Sequence, residues 1–90
     1  MHEVRYHRHA VRYLRRMPAE RKEKIKAAIA EAAALDDPGT HHNVSALSGD
    51  RSDTHRLRIG SYRAIFRLVN DEEPKLLEVL QVGPRGDVYK

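Results

Sequence analysis

The chain has no cysteine, no tryptophan and only one phenylalanine. Without thiols it can form neither a disulfide framework nor a thiolate metal site, which fits a reducing compartment. No apolar run approaches the roughly 18 residues that a membrane-spanning helix needs. The opening MHEVRYHRH has no signal-peptide core. The expectation is a cytoplasmic protein with no membrane partner. No P-loop, glycine-rich nucleotide fingerprint or Ser-His-Asp arrangement is present either, so nothing in the sequence calls for a cofactor.

What is present is charge. The chain is 90 residues long, 33% charged and +4 overall, with six histidines besides. That length makes one small domain, residues 1–90, with a modest core. A small basic protein often meets a polyanion, and nucleic acid is the usual one. The charge is unevenly placed. His2 to Lys26 holds nine basic and three acidic residues, Ala27 to Asp50 no basic and four acidic, and Arg51 to Val69 five arginines and one aspartate.

The second basic region is the more informative. Arg56 to Val69, RLRIGSYRAIFRLV, reads as two strands joined at Gly60-Ser61. Strand side chains alternate between faces. Leu57, Ile59, Tyr62, Ala64, Phe66 and Leu68 therefore fall on one side, and Arg56, Arg58, Arg63, Ile65 and Arg67 on the other. One face packs on a core and the other carries guanidinium groups.

Upstream, Glu3 to His7 reads as a short first strand. His9 to Met17 reads as a helix with Ala10, Val11 and Leu14 inward. After Pro18, Ala19 to Leu35 reads as a second helix with an apolar stripe of Ile25, Ala28, Ile29, Ala32 and Leu35. Asp36-Asp37-Pro38-Gly39 stops it. Thr40 to Thr54 shows no convincing periodicity, with Val44, Ala46 and Leu47 as possible anchors. Asn70 to Pro74 is a turn, and Lys75 to Val82 is apolar on both parities, as an interior strand should be. Gly83-Pro84 should break that strand. The fold class expected is α+β, in two layers: β-α-α-β-β-β, with an N-terminal helical hairpin on one face of a mainly antiparallel four-stranded sheet.

With this element order, the RLRIGSYRAIFRL hairpin and the ending VLQVGPRGDVYK, the sequence resembles the RelE/ParE toxin superfamily of bacterial toxin–antitoxin systems. The Asp-Val-Tyr ending is more like the RelE branch, whose members cut messenger RNA in the ribosomal decoding site. The resemblance implies a metal-independent endoribonuclease with a cognate antitoxin, messenger RNA on the ribosome and 16S ribosomal RNA as partners. By motif position it implies catalytic roles for Arg63, Arg85 and Tyr89. Arg56, Arg58 and Arg67 would bind RNA phosphates. Pro84 stands where many relatives have a histidine, which removes a His-based proton transfer there. A ParE-like inhibitor that binds gyrase without nuclease chemistry, or a catalytically weak member that binds antitoxin or RNA, remain alternatives.

Arginine suits the first role because its fork binds phosphate oxygens bidentately. A lone strand-face arginine is ordinarily a solvated charge; four on one face repel unless an anion is expected. The histidines offer less. No spacing among them supplies three converging metal ligands, and His55 shares its parity with core-facing Leu57.

Overall fold

The computed structural model describes residues 2–46, 54–71 and 73–84. Along the chain they form β1 (Glu3–Tyr6), α1 (Arg8–Arg15), α2 (Ala19–Ala33), a 3-10 turn (Pro38–Thr40), β2 (Val44–Ala46), β3 (Thr54–Ile59), β4 (Tyr62–Val69) and β5 (Leu76–Pro84). The expected Glu3–His7 strand ends one residue early because His7 caps α1. Its backbone is extended, and its Nδ1 accepts a hydrogen bond from the His9 N–H at 3.3 Å. Ala10 and Leu14, four residues apart, are the buried face of α1. The helix stops short of Met17.

Helix α2 opens after Pro18, whose carbonyl accepts from the Lys22 N–H at 3.0 Å. It buries Ile25, Ile29, Ala32 and Ala33. It ends two residues before the expected Leu35, which is 36% exposed and does not extend the stripe. Asp37 then holds the 3-10 turn by accepting from the Gly39 N–H at 3.0 Å.

The sheet has five strands in the order β1-β5-β4-β3-β2, where the sequence suggested four. The extra strand, β2, lies inside the stretch that showed no periodicity. Three residues are too few to reveal alternation, and β2 takes its shape from pairing with β3, Val44 opposite Leu57. The sheet is also mixed: β1 runs parallel to β5, and the other three pairings are antiparallel. Strand β3 begins at Thr54, opposite Arg67, rather than at Arg56. Gly83 and Pro84 do not break β5; they pair with Arg63 and Tyr62. Leu47, one of the suggested anchors, lies outside the described residues.

Between Ile65 and Phe66 the ladder slips. Ile65 faces Gln81 and Phe66 faces Val79, which leaves Leu80 as an extra residue on β5. The slip explains why KLLEVLQV is apolar on both parities. Val79 and Val82, three apart, both join the core.

That core lies between the two helices and one face of the sheet. It gathers Ala10, Leu14, Ile25, Ile29 and Ala33 from the helices with Leu57, Ala64, Phe66, Leu68, Leu77, Val79 and Val82 from the strands. Phe66 is the largest fully buried side chain. The helix-facing parity read from the sequence is the observed one. On the opposite face Ile65 and Leu76 are buried too, although neither belongs to that cluster.

Candidate nucleic-acid interface

The β3–β4 hairpin turns at Gly60, whose φ of 59° lies in the left-handed region that favours glycine. This tight turn fixes the register of everything below it. Arg58 stands opposite Arg63, Arg56 opposite Ile65, and Thr54 opposite Arg67. Opposed residues in an antiparallel pair project to the same side. Arg56, Arg58, Arg63 and Arg67 therefore all lie on the sheet face away from the helices. Arg58 and Arg67 are exposed, and Arg56 and Arg63 are half-buried. The Nε of Arg63 is closed off from solvent.

Arg67 has an acidic partner on β5. Its Nη2 donates to Glu78 Oε1 across the β4–β5 ladder at 2.7 Å. Glu78 is also the parallel-register partner of Arg5 on β1. At this end of the face Glu78 therefore lies between two arginines, Arg5 and Arg67. Beyond Arg63 the ladder continues to Gly83.

No described histidine joins this face. His55 projects to the helix side, with its ring stacked on Phe66 at 5.4 Å between centroids. Its Nδ1 is buried without a hydrogen-bond partner among the described residues. His41 is buried and structural: its Nδ1 accepts from the Asn43 N–H at 3.1 Å, so its Nε2–H donates to Glu31 Oε1 at 2.7 Å. His7 and His9 do not share a strand; they sit at the start of α1 with stacked rings. Among the described residues no three His, Asp or Glu side chains converge as a metal site would require. Arg85 and Tyr89 lie outside the described residues.

One contact escaped the sequence reading. Arg21 on α2 donates from Nη1 to the Tyr62 hydroxyl at 2.8 Å, beside the hairpin turn. The two residues are 41 apart in sequence, and no local pattern connects them.

The arrangement offers a row of guanidinium groups on the sheet face away from the helices. Such a surface can bind a phosphodiester chain and stabilise charge that builds on one phosphate. No helix among the described residues is long and apolar enough to cross a membrane.

No protein-family model and no curated protein sequence matches the chain. Solved structures do. A chain of the archaeal RelE–RelB complex from Pyrococcus horikoshii OT3 is 26% identical, with 96% of this chain and 97% of that one covered and a TM-score of 0.73. A chain of the toxin–antitoxin complex RelBE2 from Mycobacterium tuberculosis is 28% identical over 93% and 98%, with a TM-score of 0.60. A YoeB/ParE toxin from Agrobacterium tumefaciens is 22% identical over 92% and 98%, with a TM-score of 0.73.

Proposed function

We infer that this chain, whose structure is that of the RelE-like toxin superfamily, is the toxin of a toxin–antitoxin pair and acts as a metal-independent endoribonuclease on messenger RNA at the ribosome. The observation that carries the reading is the placement of Arg58 directly across from Arg63, with Arg56 beside them, on the sheet face left open by the helices. Guanidinium groups gathered on one face suit the binding of phosphate oxygens. The matched complexes pair RelE with RelB, and a protein antitoxin is the partner proposed here.

The chemistry rests largely on the RNA itself. The 2′-oxygen loses its proton and bonds to the adjacent phosphorus, the bond from phosphorus to the 5′-oxygen breaks, and that oxygen takes up a proton. The products are a 2′,3′-cyclic phosphate and a 5′-hydroxyl. The protein's task is to align the chain and stabilise the extra negative charge on the phosphorane. Arg63 is assigned to the scissile phosphate by its motif position and its place opposite Arg58; preorganised donors cost no reorganisation during the reaction. Arg56 and Arg58 hold the flanking backbone. Arg67, occupied by Glu78, contributes less. By resemblance Arg85 joins Arg63 on the phosphate, and Tyr89 stacks on a base or takes part in proton transfer.

Primer extension on a translated reporter message after induction tests this. Cuts positioned by codon in translated RNA are expected. Intact message together with arrested DNA replication would point instead to a gyrase-binding toxin.

A further inference from the structure

On the helix side of the β3–β4 hairpin, a cleft of about 270 Å³ opens between α2 and the turn. Its walls are Arg21 and Lys24 from α2, with Ile59, Ser61 and Tyr62 from the hairpin and Ile25 at its base. Among the described residues no acidic side chain lines it. Both cations are exposed, and Ile59 and Tyr62 are half-buried. The Arg21 guanidinium carbon sits 6.0 Å from the centre of the Tyr62 ring, and its Nη1 is bonded to the hydroxyl. The cleft thus has a flat apolar wall with fixed positive charge at its lip. A base laid on that wall would have its phosphate beside the cations.

Its position matters as much as its lining. Ile59 and Tyr62 are one cross-strand pair, and Arg58 and Arg63 are the next pair down the same ladder. The first pair projects toward the helices and the second toward the open face. The cleft and the arginine row are therefore back to back at the tip of one hairpin. The tip itself is uncrowded: a Cβ built on Gly60 would meet no atom of the described residues within 4 Å.

We propose that this cleft is a second RNA subsite, which takes one nucleotide of the strand bound on the arginine face after that strand bends over the hairpin tip. The phosphate lies on Arg21 and Lys24, and the base packs on Tyr62 and Ile59. The inference rests on the arginine face being an RNA site. An acidic peptide would satisfy the two cations equally well. It would gain nothing from the planar wall or from continuity with a second cationic surface around the turn.

The test uses 2′-O-methyl oligonucleotides, whose blocked 2′-oxygen prevents cleavage, with binding followed by anisotropy from low to high salt. A trinucleotide reaches only the arginine face, and a decanucleotide reaches both. For the double variant Arg21→Gln/Lys24→Gln, the decanucleotide is expected to bind about tenfold more weakly. The slope of log K against log salt should become shallower by about 0.7, one phosphate contact. Trinucleotide binding should stay as in the wild type. The control Lys22→Gln/Lys26→Gln removes the same charge elsewhere on α2 and is expected to do much less. Arg58→Gln/Arg63→Gln should weaken both oligonucleotides. A 5-iodouridine at one end of the decanucleotide should cross-link to Tyr62 of the wild-type protein.

Equal losses in the two α2 variants, or no cross-link at Tyr62, overturn the subsite and leave the arginine-face reading standing. Loss of polyglutamate binding without loss of RNA binding in Arg21→Gln/Lys24→Gln overturns it in favour of an acidic protein partner. If Arg58→Gln/Arg63→Gln binds both oligonucleotides normally, the arginine-face reading itself fails, and the subsite fails with it.

Discussion

Arg58 and Arg63 stand directly opposite one another on neighbouring strands, the same charge on both sides of the ladder. Like charges in that position are destabilising. Four pairs farther along the ladder, Arg67 stands opposite Thr54 and is bound to Glu78 at 2.7 Å. One hairpin thus carries an arginine pair facing across the ladder near its turn and an arginine–glutamate pair farther along it.

The contrast sets the first prediction. Arg63→Gln is expected to reduce RNA cleavage by about 10²–10³-fold, the cost of removing one preorganised donor. Arg67→Gln should reduce it only a few-fold. Circular dichroism and melting temperature should be close to wild type for Arg67→Gln, because exposed ion pairs contribute about 0–1 kcal/mol. Cleavage assays on purified translation complexes separate the two variants. Equal loss in both would remove the special role given to Arg63.

The hairpin and its two faces were legible in the sequence because apolar and basic residues alternate on both sides of a Gly-Ser turn, with Ile65 the exception among the arginines. The pairing of Arg67 with Glu78 was not. It depends on the β5 register, and the extra residue Leu80 shifts that register in a way that alternation cannot disclose. Strand β2 was hidden for a different reason. Val44, Ser45 and Ala46 carry no pattern of their own and become a strand because β3 offers an edge. The cleft at Arg21 and Tyr62 is a product of how α2 lies over the sheet, and helix placement is tertiary information. Leu35 misled through composition: it continues the α2 stripe by spacing, yet the helix has already ended at Ala33.

The His41–Glu31 contact gives a prediction about stability. His41 is buried, and it ties α2 to the segment that leads into β2 by one side-chain and one backbone hydrogen bond. Glu31→Ala leaves the Nε2–H without its acceptor, which should cost about 1–3 kcal/mol. His41→Ala removes both bonds and leaves a void, and should cost more. Chemical denaturation of the two single variants and the double checks this. The double variant should fall well short of the sum, because both single changes break the same bond.

Tyr6 supplies the pH dependence. It is half-buried on β1, and that burial raises its phenolic pKa above the ordinary value of 10.0. A raised folded pKa means that folding favours the protonated form. The contribution is fully present below about pH 10, where the unfolded tyrosine titrates. It is lost as pH rises through the folded value. Tyr6→Phe has no proton to lose, so its stability should decline less steeply than the wild type's at alkaline pH, while the two curves run parallel near neutrality. Denaturation midpoints measured from neutral to strongly alkaline pH would show this, and parallel curves throughout would contradict it.

The last prediction concerns the antitoxin. A cationic face beside a core of this size is both hazardous to the cell and weakly supported by its own packing. A partner encoded nearby is expected to bring an acidic, amphipathic segment that orders on binding and covers or distorts the region of Arg56, Arg58 and Arg63. A partner that binds only the folded chain stabilises it by RT ln(1 + [L]/Kd), about 4 kcal/mol at a thousandfold excess over Kd. For a domain this small that corresponds to a rise in Tm of roughly 15–30 °C. The ionic part of the affinity should weaken as salt is raised, since exposed charges are screened over about 8–10 Å at moderate ionic strength. Calorimetry and thermal melts of the chain alone and with the neighbouring gene product, across a salt series, give both quantities. The cleavage assay run in parallel decides how inhibition works. A partner that binds tightly and raises Tm yet leaves RNA cleavage unchanged would show that it does not act by occluding the arginine face.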